Sequence, residues 1–209
     1  APMESAWRDA RIARIYEGTN EINRMLSVGM LVKKAMKGHV DLLGPAMAVA
    51  EELMGIPSFD VPDYSELFAE EKEMIAKLKK VFLMVAGAAV QKYGAELESH
   101  QQLLMAASDI LIEIYMAEST ILRTEKLAKK EGEGKVQEQI AMAKLYLYHA
   151  VDIVSQKGKE GIVSFAEGDE QRMMLMGLKR FTKYTNMPNV IGLREKIAAK
   201  IISENKYAF

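Results

Sequence analysis

The chain has 209 residues, 49% of them hydrophobic and 27% charged, which is enough to bury a core and too apolar for a disordered tail. Its 28 Lys and Arg against 29 Asp and Glu leave a net charge of -1, which argues against a dedicated nucleic-acid binder. The absence of Cys excludes disulfides, thiolate metal sites, iron–sulfur clusters and a cysteine nucleophile. No apolar run approaches the length of a membrane span, and no basic-then-apolar leader opens the sequence. It begins Ala1-Pro2-Met3, as a processed or cut piece would.

Abundant Met, Ala, Leu, Glu and Lys predict helix throughout, and no alternating strand run is found. A short amphipathic helix is expected over residues 3–15, broken at Tyr16-Glu17-Gly18-Thr19. A second follows over about 20–36, with Met25, Leu26, Met30 and Leu31 at helical spacing, and a third over about 41–54. Residues 55–63 read as a linker, because Pro57 and Pro62 forbid a regular helix.

Three long tracts come next. The first is expected to start at Asp63, with Glu66 completing a capping box, and to end at Tyr93-Gly94. Its Phe68, Ile75, Leu78, Phe82, Val85 and Ala89 share one face. The second spans about 97–130, with Ile110, Ile114, Ala117 and Ile121 in its stripe, and turns at Gly132 and Gly134. The third spans about 135–165, with Gly158 and Gly161 as points of bending. Shorter helices are expected over about 169–184 and 189–203, separated by Asn186-Met187-Pro188. The fold class is all-α: an up-and-down bundle of long amphipathic helices joined by short turns.

One block differs in kind from the rest. A carboxylate at the end of an apolar turn, Glu17 beside Tyr16, is a candidate general base if desolvated. Gly18 would let a ligand approach the backbone. Thr19 and Asn20 would open a helix whose N-terminus favours an anion such as a cofactor pyrophosphate. The alternative is a plain helix junction with Glu17 in water.

The contiguous run from Arg8 to Arg24, Arg-Asp-Ala-Arg-Ile-Ala-Arg-Ile-Tyr-Glu-Gly-Thr-Asn-Glu-Ile-Asn-Arg, resembles the C-terminal signature of acyl-CoA dehydrogenases. The resemblance implies an oxidation of fatty acyl-CoA to trans-2-enoyl-CoA. Glu17 would take the α-proton while hydride passes to FAD. The backbone N–H of Glu17 would help hold the thioester oxygen, Gly18 would line the acyl-CoA site, and Thr19, Asn20 and Glu21 would touch FAD. Glu21 stands where many relatives have Gln.

In that family the signature lies late in the fold, after a β-domain. Here it lies near the start, so the resemblance implies the C-terminal part of a longer protein, inactive by itself. Residues 1–55 would be the tail end of the family's C-terminal helical domain. Residues 63–209 would be an additional bundle, as in very-long-chain members. The implied partners are fatty acyl-CoA, an electron-transfer-flavoprotein-type acceptor and a second copy in a homodimer, with no nucleic acid. The implied location is cytoplasmic, or the mitochondrial matrix in a eukaryote. The alternatives are a non-enzymatic helical interaction domain and a peripheral membrane-docking module. The latter draws on residues 172–206, which hold eight Lys or Arg against two acids, although a solvated or intramolecular face is the preferred reading of them. His39, His100 and His149 lack the paired spacing of a di-iron bundle, so no metal site is expected. The Met clusters at 25–30 and 173–176 read as core filling.

Overall fold

The computed structural model describes residues 2–55, 63–207 and 209. The expected linker therefore lies almost wholly outside the described residues. Among these, eight α-helices form and no strand does. They are α1 (Pro2–Ile12), α2 (Asn20–Met36), α3 (Leu43–Met54), α4 (Ala69–Tyr93), α5 (Gln101–Glu131), α6 (Gln137–Phe165), α7 (Gly168–Phe181) and α8 (Val190–Glu204).

The three long helices α4, α5 and α6 pack mutually and make the centre of the bundle. At about 1.5 Å per residue they are roughly 37–47 Å tall. Their shared faces carry Leu78 and Val85 of the expected α4 stripe with Val81 beside them, Ile110 and Ile121 of the expected α5 stripe, and Leu147 and Val154 on α6, all shut off from solvent. Helix α2 lies along α5, α3 lies against α4 and α7, and α8 packs on α6. Val28 of α2 and Val49 of α3 join the same buried cluster as the long helices. The helices on both sides of residues 56–62 thus share one core.

Three local expectations change. Helix α4 starts at Ala69, not Asp63, and no capping box forms. Asp63 Oδ1 instead accepts from the Ser65 amide at 2.9 Å, closing a tight turn. Phe68 then adopts a left-handed conformation (φ 63°), which drops its ring into the core at 2% exposure. That burial offsets the cost of a bulky residue at positive φ.

The second change concerns Gly158 and Gly161. Helix α6 runs through both unbroken. They mark close approach rather than bending: a Cβ on Gly158 would lie 2.7 Å from Leu178 Cδ1 and 3.3 Å from Val81 Cγ1, and one on Gly161 would lie 3.0 Å from Val85 Cγ1. The third concerns methionine. Met174 fills the core as expected, whereas Met30 and Met176 stay exposed.

The most extensive helix contact, α5 on α6, carries a half-buried polar pair. The Tyr146 hydroxyl donates to Glu113 Oε2 at 2.9 Å. Burial, and then that bond to a carboxylate, push the Tyr146 phenol up to about 12 from its ordinary 10.0. Because the folded value is raised, the stability this contact gives is complete below the unfolded value and is lost as pH climbs through the folded one. An ultraviolet tyrosinate titration of wild type and Tyr146→Phe should differ by one phenol ionising near pH 12. A missing phenol at the ordinary pH would contradict this contact.

Part of the basic C-terminal stretch is engaged inside the chain. Arg180 pairs with Glu52 of α3 at 2.9 Å, Lys200 with Glu204 at 3.1 Å, and Arg194 lies 3.2 Å from His149 of α6. Among the described residues no helix is long and apolar enough to cross a membrane.

Candidate active site

The Arg8–Arg24 block folds as the end of α1, a turn and the start of α2. Helix α1 closes through Ala13 N–H to Asp9 O (3.1 Å), followed by Ile15 N–H to Ile12 O (2.9 Å) and Tyr16 N–H to Ile12 O (3.3 Å). Two consecutive left-handed residues reverse the chain, Glu17 at φ 55° and Gly18 at φ 94°. Glycine takes that conformation without penalty, whereas glutamate does so only under constraint.

Thr19 is the N-cap of α2, as its residue type predicts, and its Oγ1 accepts from the Ile22 amide at 3.3 Å. A side chain that sequence reading did not single out closes the turn. Asn23 Nδ2 donates to the Gly18 carbonyl at 2.9 Å.

The five predicted residues are brought together in this one turn, but on the surface rather than in a pocket. Glu17, Gly18, Asn20 and Glu21 are exposed and Thr19 is half-buried. Tyr16, expected to shield Glu17, is itself 54% exposed. The desolvation expected for Glu17 is therefore not supplied by the described residues.

The α2 N-terminus also differs from expectation. The Asn20 amide is bonded to Arg14 O at 3.2 Å, the Ile22 amide to Thr19, and the Asn23 amide to Thr19 O at 2.9 Å. The Glu21 carboxylate lies beside its own backbone amide. That contact, then one from Thr19, hold the Glu21 carboxyl below the ordinary range. The Asn20 and Ile22 amides are thus already engaged, and a carboxylate stands beside the helix start.

Other candidates lie elsewhere. His39 is exposed and His100 stacks on Tyr93 with centroids 3.7 Å apart. Among the described residues no three potential ligands of the His, Cys, Asp and Glu types cluster. A cleft of about 500 Å3 runs between α3, α4 and α7, lined by Met47, Leu53, Leu83, Met84 and Met173. Another of about 350 Å3 lies between α4, α6 and α8, lined by Glu70, Lys144, Tyr184 and Met187. Neither reaches the Glu17 turn.

Residues 77–180 match the family model described as acyl-CoA dehydrogenase, C-terminal domain. A probable acyl-CoA dehydrogenase of Bacillus subtilis (strain 168) is 37% identical over 207 residues, covering 98% of this chain and 34% of that protein. The crystal structure of an acyl-CoA dehydrogenase complexed with FAD from Bacillus anthracis is 38% identical and superposes with a TM-score of 0.90, covering 100% of this chain and 34% of that one. The chain therefore spans about a third of the length of these relatives. The Glu17 turn lies outside the residues matched by the family model and inside the span that superposes.

Proposed function

The chain belongs to the acyl-CoA dehydrogenase family, and we propose that it is the part of a flavin-dependent enzyme that carries the catalytic base. The reaction is the α,β-dehydrogenation of a fatty acyl-CoA to its trans-2-enoyl-CoA. The observation that carries this reading is the contiguous Arg8–Arg24 signature folded so that Glu17 and Gly18 form a left-handed turn at a helix start.

Glu17 is the base that takes the α-proton on its carboxylate. A carboxylate is a weak base in water, so the site must exclude solvent when substrate is bound. The described residues leave Glu17 open, and the uncovered apolar groups Trp7, Ile12, Ile15 and Tyr16 beside it are suited to being sealed by a further surface. The Glu17 N–H holds the thioester oxygen, where negative charge grows as the proton leaves. Gly18 offers bare backbone to the substrate.

The flavin fits this chain in part. Asn20 offers an exposed carboxamide and Thr19 a hydroxyl, which suit an uncharged polar edge. The engaged Asn20 and Ile22 amides and the Glu21 carboxylate do not suit its phosphates. When bound, FAD supplies the acceptor for the β-hydride. An electron-transfer flavoprotein would reoxidise it, and the whole protein would act as a homodimer.

The test is anaerobic mixing with a fatty acyl-CoA. The full-length protein should lose its flavin absorbance and form enoyl-CoA, and the 209-residue chain alone should do neither. Oxidation by the isolated chain, or none by the flavin-loaded whole protein across a series of acyl lengths, would overturn the proposal.

A further inference from the structure

We infer that Asn23 is a positioning residue for catalysis: its side-chain amide locks the left-handed Glu17–Gly18 turn and so aims the Glu17 carboxylate. This inference rests on the reading of Glu17 as the base.

The geometry is specific. The Gly18 carbonyl can only accept, so the group at 2.9 Å from it must be the amide nitrogen of Asn23. The bond reaches back across five positions, from the first turn of α2 to the residue after Glu17. Gly18 fits beneath that amide because it has no side chain. A Cβ there would come within 2.8 Å of Asn23 Oδ1. The two residues are thus matched: one supplies the hook and the other the space.

A lock is needed here. Glu17 sits at φ 55°, a conformation that a glutamate holds only when its surroundings impose it. The preceding helix imposes little, since none of α1 is buried. The other constraints are the Asn20 amide on Arg14 O and the Thr19 cap, which fix the chain after Gly18 rather than the Gly18 carbonyl itself.

The platform bearing Asn23 is firm. The next residue, Arg24, pairs through Nε with Asp109 Oδ1 of α5 at 2.9 Å. One turn on, Ser27 Oγ lies 2.9 Å from Oγ of the fully buried Ser108. These contacts anchor α2 to the bundle, and Asn23 passes that anchorage to the turn.

The experiment compares the full-length, FAD-loaded protein as wild type, Asn23→Ala, Asn23→Asp, Gly18→Ala and Asn23→Ala/Gly18→Ala, with Glu17→Gln as control. Asn23→Asp keeps the shape and removes the donor, and it carries the test alone if Asn23→Ala does not fold. Both Asn23 variants should lower kcat roughly 10²-fold, as expected for a base displaced by about 1 Å. KM for acyl-CoA and flavin content should stay near wild type. Hydrogen exchange of the peptide spanning the turn should accelerate while α4–α6 stay protected. Gly18→Ala should cost less in the Asn23→Ala background than alone, because the Cβ clash is then absent and only the strain of alanine at φ 94° remains.

An unchanged kcat, parallel losses in KM and flavin content, unchanged exchange at the turn, or additive Gly18 and Asn23 losses would each overturn the inference. An active Glu17→Gln control would instead refute the base assignment, and the exchange data would still judge the lock.

Discussion

Glu17→Gln in the full-length protein should reduce turnover by at least the roughly 10²–10⁴-fold that a general base contributes, with flavin still bound. The substitution is almost isosteric. Gln meets the same φ of 55° as Glu, so the turn keeps its strain and its Asn23 hook. What changes is that an amide cannot accept the α-proton. Among the described residues Glu17 makes no side-chain hydrogen bond or ion pair that holds the turn, so folding and cofactor content should be unaffected. Steady-state dye reduction and the flavin-to-protein absorbance ratio measure the two effects separately. Turnover within tenfold of wild type would remove Glu17 from the role of base. Glu17→Asp should fall between the two, since it keeps a carboxylate but withdraws it from the substrate.

Leu78→Ala should destabilise the bundle by about 2–5 kcal/mol. Leu78 lies at the centre of α4 with no exposed surface, within the cluster that also holds Val81, Phe82 and Val85. Truncation removes the transfer energy of the lost carbons and leaves a cavity that three interlocked helices close only in part. Leu122→Ala is the matched control. Leu122 is 54% exposed on α5, and its loss should stay within about 1 kcal/mol. Urea denaturation followed by helical circular dichroism compares the pair. Equal midpoints would mean that the face assigned to the core of α4 is not buried.

The faces of the long helices were legible because their apolar residues recur every three or four positions, and burial follows that stripe from Ile75 to Ala89. The stops at Gly94 and Gly132 were legible too, since both take positive φ that favours glycine. The start of α4 was not. A capping-box pattern at Asp63 and Glu66 is local, and the burial of Phe68 by distant helices outweighs it. Gly158 and Gly161 look alike in sequence whether they bend a helix or admit a neighbour. Only the nearness of Val81, Val85 and Leu178 decides.

The candidate site divides the same way. The residue block and its order are one-dimensional and could be read directly. The Asn23 hook could not, because it depends on two consecutive positive φ angles that bring the Gly18 carbonyl under the amide. Nor could the engagement of the α2 N-terminus, which requires the Asn20 amide to reach back to Arg14 O and Thr19 to cap Ile22.

Helix α1 has 11 residues, none of them buried. A segment that short is marginal as a helix in water by itself. A surface laid over the exposed Trp7 and Tyr16 would supply that order on the side of the turn leading into Glu17. On the proposed reading of Glu17 as the base, one flank of its turn is held by the bundle, and the other would gain order from a surface laid over α1.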